Sequence, residues 1–126
     1  MIYSKFEDIP VWQDARAFLK KTFDLIKSNE KLKRDFIFVD QLKRASLSIP
    51  LNIAEGFDRS SNTEFAHFLN IAKASAGEVR AILYLLKDCS YIDEKDFGIM
   101  KVEVEKISSH ITNFRKYLLN HKSRRR

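Results

Sequence analysis

Apolar side chains recur at steps of three and four residues in four long blocks of this chain, and only three glycines and two prolines interrupt them. An α-helix completes a turn every ~3.6 residues, so this spacing lays one apolar stripe along each of four helices. The first stripe is Val11, Ala15, Phe18, Thr22 and Leu25, flanked by Trp12, Leu19 and Ile26. The second runs Val39, Leu42, Ser46, Ile49, Ile53 and Gly56, and the third Phe65, Phe68, Ala72, Ser75, Val79, Ile82 and Leu86. The fourth is Phe97, Met100, Val104, Ile107, Ile111, Phe114 and Leu118. Stripes of this kind joined by short connections predict an all-α fold, an antiparallel up-down four-helix bundle. The 126 residues make one domain, residues 1–119, followed by a basic C-terminal tail, residues 120–126.

Local signals set the ends of the helices. Asp8 and Asp93 are candidate N-caps, and Pro10 is tolerated in a first turn, where its missing N–H is no loss. Pro50 falls inside the second stripe, but the phase is kept from Ile49 to Ile53, which predicts a kinked, continuous helix. Its ring removes the hydrogen bond to the Ser46 carbonyl, at up to ~3 kcal/mol. Residues 28–36, "SNEKLKRDF", lack periodicity and are expected to connect the first two helices. The stretch "NIAEGFDRSSNTEF" admits either a DNA-reading helix-turn-helix or a hairpin between long helices. A recognition helix exposes polar residues to bases, whereas the helix after this turn is apolar on nearly every side, so the hairpin is the better reading. Gly56 would then end one helix in the left-handed conformation, and Ser61 and Glu64 would form a capping box. Gly77, in mid-helix, is expected to allow close helix approach.

Several function classes find no support. The single cysteine, Cys89, cannot close an intramolecular disulfide. No apolar run approaches the ~20 residues of a membrane span, and the first residues lack a secretory pattern, so a cytoplasmic protein without a membrane partner is expected. Glu64-x-x-His67 matches a spacing that di-iron bundles use in pairs, but no second copy exists and Glu64 has a capping role. His110 and His121 have no ligand-spaced partner, and no phosphate loop or nucleophile motif is present. No enzyme, cofactor or metal is expected.

Charge and off-stripe residues say more. The net charge is +6, yet all seventeen acidic residues and seventeen of the twenty-three basic ones precede position 115. The excess is therefore Arg115, Lys116, Lys122, Arg124, Arg125 and Arg126, a neutral body with a basic end. Lys73, Arg80 and Lys87 repeat every seven residues along one helix face and, with the tail, could track phosphates. Leu51, Ile71 and Leu85 point away from the stripes, beside Ala74 and Ala81, which predicts a homo-oligomer interface. Gln41, Ser48 and Glu55 form a polar line with Arg44 and Asn52 within one turn, read as a structural hydrogen-bond network.

"VWQDA" at 11–15, "QLKRASLSIPLNIAEGF" at 41–57, Arg59 and "EFAHFLNIAKASAGEV" at 64–79 together resemble the bacterial 23S rRNA intervening-sequence proteins. The resemblance spans residues 6–118, and the Ser-Ile-Pro-x-Asn-Ile-Ala-Glu-Gly segment is its most specific part. Trp12 and Gln13 match the first motif; Gln41, Arg44, Ser48, Pro50, Asn52, Glu55, Gly56 and Arg59 the second; Ser75 and Glu78 the third. Ala74 stands where the family tends to have glycine, and "KRDF" replaces a more usual aromatic or Gly-Leu pair. The resemblance implies an up-down bundle assembling into a barrel-like homopentamer that binds nucleic acid, with Arg44 and Arg59 as further candidate contacts. It brings no catalytic residues. A relative, the accessory variability determinant of diversity-generating retroelements, adds reverse-transcriptase binding to what is implied. The expected function is thus a non-enzymatic oligomeric bundle that binds RNA or DNA through basic surfaces. The alternative is an adaptor docking on a nucleic-acid enzyme such as a reverse transcriptase.

Overall fold

The computed structural model describes residues 3–121. Four long helices carry the fold: α1 (Pro10–Ser28), α3 (Phe36–Phe57), α4 (Asn62–Asp88) and α5 (Glu94–Asn120), with a single-turn α2 (Glu30–Lys33) between the first two. No strand occurs among the described residues. Cross-helix contacts establish the antiparallel order. Lys43 lies over Phe23, Ser48 bonds Ser75, Arg80 pairs with Glu105, and His110 meets Asp14. One core results, filled by Phe18, Leu42, Ile49, Ile53, Phe65, Leu69, Leu83, Ile111 and Leu118 among others. Burying a side chain of this size is worth roughly 1.5–3 kcal/mol. No helix among the described residues is long and apolar enough to cross a membrane.

Several local expectations change. Ile9, not Asp8, is the N-cap of α1 and makes no side-chain cap; Phe6–Asp8 instead forms a 3-10 turn ahead of it. Ile9 is buried, and folding it inward turns Asp8 away. In α1, Ile26 is buried and Leu25 only half-buried. Within 28–36, Asn29 caps the single turn of α2 by accepting from the Leu32 N–H at 2.9 Å, and Leu32 is fully buried. One turn is too short to show a period, so the stretch reads as a loop.

In α4 the buried face runs through Leu69, Ala76 and Leu83, leaving Phe68 and Ser75 half-buried on the side toward α3. This helix packs against both α3 and α5, so its buried arc is wider than one stripe. Gly56 lies inside α3 with no left-handed φ. A β-carbon there would sit 2.7 Å from both Phe65 Cδ1 and Phe68 Cβ, so the glycine serves close packing between α3 and α4. Gly77 has nothing within 4 Å of its would-be β-carbon and brings no helix of this chain closer. Ser61 accepts from the Glu64 N–H at 3.2 Å, but the Glu64 carboxylate takes the Ser60 hydroxyl, so only half of the capping box forms. Asp93 caps α5 by accepting from the Asp96 N–H at 2.8 Å. α3 runs unbroken through Pro50, which is buried.

Candidate functional site

The α3–α4 pair presents one continuous outer face. Its centre is polar: Asn52 Nδ2 donates to the Ser48 carbonyl at 2.8 Å and to Ser48 Oγ at 2.9 Å, and Ser75 Oγ donates to Ser48 Oγ at 2.8 Å. Ser48 Oγ thereby accepts twice and keeps its own proton for a further partner. The expected network is narrower than the sequence line, since Arg44 pairs with Asp40 at 2.9 Å and Glu55 with Arg59 at 3.0 Å. Gln41 is exposed on the same line. The network runs one turn along α3, from Asn52 to Ser48, and then crosses to α4 through Ser75.

Around that centre lie the off-stripe apolar residues. Leu51 is 56% exposed, Leu85 51% and Ile71 38%. Because α3 and α4 are antiparallel with Ser48 opposite Ser75, Leu51 falls beside Ile71, and Ile37 beside Leu85. The result is two apolar patches flanking a polar centre.

The basic residues predicted as contacts are mostly paired with carboxylates. Arg80 Nε pairs with Glu105 at 3.1 Å, and Lys87 Nζ with Glu94 at 3.2 Å while lying 4.3 Å over the Phe97 ring. Arg59 also covers the Phe68 ring at 4.6 Å. Of the stripe predicted on α4, Lys73 is exposed while its two companions face carboxylates of α5. Exposed pairs of this kind contribute ~0–1 kcal/mol, so a phosphate can displace the carboxylate, but the stripe is not an open row of cations. Arg115 Nε donates to the Ala66 carbonyl at 3.2 Å. Arg124, Arg125 and Arg126 lie outside the described residues.

At the opposite end from the α3–α4 turn, two connections lock together. Ser90, at φ 62°, ends α4 in the left-handed region, with Tyr91 N–H bonding the Leu86 carbonyl and Ser90 N–H the Lys87 carbonyl. Asn29 Nδ2 donates to the Tyr91 carbonyl at 2.6 Å, Lys31 lies 5.0 Å over the Tyr91 ring, and Phe38 packs edge-on against it. The Tyr91 hydroxyl donates to Asp35, which also accepts from the Phe38 N–H. Those two bonds, the phenol first, hold the Asp35 carboxyl below its ordinary range, and the carboxylate in turn pushes the Tyr91 phenol up. Beside this latch Phe36 is 83% exposed and Ile37 78%. Sequence reasoning missed both, although neither occupies a stripe position and they come shortly after Lys31, Lys33 and Arg34, with Asp35 between.

A cleft of about 730 Å³ opens between α1 and α5, but its rim groups pair with one another, Lys21 with Glu103 and His110 with Asp14. Among the described residues no cluster of three His, Cys, Asp or Glu could hold a metal. The Glu64 carboxylate accepts from the Ser60 hydroxyl, and His67 is exposed beside the Phe68 ring.

Four antiparallel helices with an outward α3–α4 face define a class: small helical bundles whose distinctive residues lie on the surface rather than in a pocket. Over residues 7–113 the sequence matches the family described as 23S rRNA-intervening sequence protein, and the chain belongs to that family. It is similar to a crystal structure from Bacteroides thetaiotaomicron, described as a protein of unknown function from the S23 ribosomal protein family. The two are 25% identical with a TM-score of 0.79, covering 84% of this chain and 98% of that one. Among curated proteins no relative matches.

Proposed function

We propose that this chain is a non-catalytic bundle that self-associates into a ring, with five copies as the expected number, and binds RNA or DNA through basic surfaces repeated around it. The observation that carries the reading is the charge distribution. The whole net charge of +6 resides from Arg115 onward, on a body that is otherwise neutral. Repeated cationic ends let several weak phosphate contacts act together. Lys73 adds an exposed cation, while Arg44, Arg59, Arg80 and Lys87 contribute by exchanging a carboxylate for a phosphate.

The test is binding of a labelled duplex by full-length protein and by a chain cut after His121, across a salt series. The cut is placed there because Asn62, which is buried, donates to the His121 carbonyl. Each tail cation on a phosphate contributes roughly 0.9 to the logarithmic salt slope. The shortened protein is expected to keep its fold and assembly, bind more weakly and show a flatter slope. Superimposable curves would refute a role for the tail. The apolar α3–α4 face favours a second reading, an adaptor docking on a nucleic-acid enzyme such as a reverse transcriptase. That reading is chosen if the isolated protein shows no salt-dependent binding.

A further inference from the structure

Phe36 is the most exposed large apolar residue described, and self-association of the α3–α4 face does not account for it. Ile37, Arg44 and Leu51 repeat every seven residues and share that face. Phe36 lies about 100° further round α3, on the side of Lys43. The backbone beneath it is fixed by the Asn29–Tyr91 and Tyr91–Asp35 hydrogen bonds and by Asp35 capping α3. The ring is therefore presented by a rigid support, and little ordering is required when a ligand meets it.

The surroundings are cationic. Lys27, Lys31, Lys33 and Arg34 are exposed close to the ring in sequence, against Glu30, Asp35 and Asp40, the last of which is paired with Arg44. The Asp35 carboxylate already accepts from the Phe38 N–H and the Tyr91 hydroxyl. A flat apolar face ringed by positive charge matches the two parts of an unpaired nucleotide, a base with a π-face and a phosphate. We infer that this corner binds unpaired nucleotides of a single strand or loop, with Phe36 stacking on a base and Lys31, Lys33 and Arg34 meeting the flanking phosphates. The inference rests on the nucleic-acid reading above and gives it a substrate class. Stacking accepts any base, so little sequence preference follows, while bases already stacked in a duplex are unavailable. An anionic membrane would attract the same cations, but interfacial attachment needs a broader apolar face than one ring with Ile37 beside it.

The full chain is titrated into labelled polyuridine, a duplex of equal length, and vesicles of phosphatidylglycerol and phosphatidylcholine. Phe36 is exposed, so Phe36→Ala leaves the helix content unchanged, which circular dichroism checks. The substitution is expected to weaken polyuridine binding about tenfold and duplex binding less than about twofold. Phe36→Trp should restore strand affinity and change in emission on binding, relative to the wild type with Trp12 alone. Equal strand affinity for wild type and Phe36→Ala, with duplex binding intact, would overturn the corner assignment and leave the nucleic-acid reading standing. A wild type that binds neither strand nor duplex at low salt would overturn both. A loss confined to vesicles would assign the corner to membranes instead.

Discussion

A methyl group added at Gly56 meets Phe65 and Phe68 at 2.7 Å, and one added at Gly77 meets nothing within 4 Å. The two positions therefore respond oppositely to alanine. At Gly77 the gain in helix propensity stands alone, and Gly77→Ala is expected to stabilise by about 1 kcal/mol. At Gly56 the same gain is outweighed by overpacking of roughly 1–3 kcal/mol on the Phe65 ring and the Phe68 stem, so Gly56→Ala should destabilise. Urea unfolding of the two variants measures both, and a stabilised Gly56→Ala would show that α3 and α4 separate more easily than described. Both glycines are conspicuous in the sequence, but Gly56 serves packing rather than a turn, and Gly77 meets no neighbouring helix within the chain. Whether a glycine serves a left-handed turn or a close approach depends on a helix elsewhere in the chain, which local chemistry does not reveal.

At the scale of elements, the four long helices were legible because a 3-4 repeat persists over five or more positions in each. The single turn of α2 was not, and neither was the choice of Ile9 over Asp8 to start α1, because both depend on burying one side chain in tertiary structure. The continuity of α3 through Pro50 was legible from phase alone. Pro50 is buried and Ser46 Oγ, one turn earlier, is buried without a partner, so two departures from regular helix chemistry coincide there. Pro50→Ala restores an N–H for the Ser46 carbonyl and is expected to leave helix content unchanged by circular dichroism. It should alter the geometry of the α3–α4 face, read as a changed sedimentation profile. A large loss of helicity would instead show that the proline ring is needed to fill the core.

At the scale of the whole molecule, the exposure of Leu51, Ile71 and Leu85 was legible, since a stripe's phase fixes what faces away from it. The pairing of Arg80 with Glu105 and Lys87 with Glu94 was not, because each partner lies on a different helix. If the patches meet between copies, Leu51→Glu or Leu85→Glu buries a charge in the joint and should weaken assembly by roughly 100-fold or more. Light scattering at micromolar concentration reads this as a shift toward monomer, and a wild type already monomeric there would end the self-association proposal. The Asn62–His121 hydrogen bond has a metric consequence. It anchors the point where the chain leaves the described fold at the start of α4, whereas the Phe36 corner lies by the end of α4. The 27 residues of α4 hold those two points about 40 Å apart. At ~3.4 Å per stacked nucleotide along one strand, a strand that keeps its stacking spans the two ends with about a dozen nucleotides, and an extended strand with fewer. If both ends hold one strand, the bundle sets a minimum length, and affinity plotted against oligonucleotide length should step upward at or below that size.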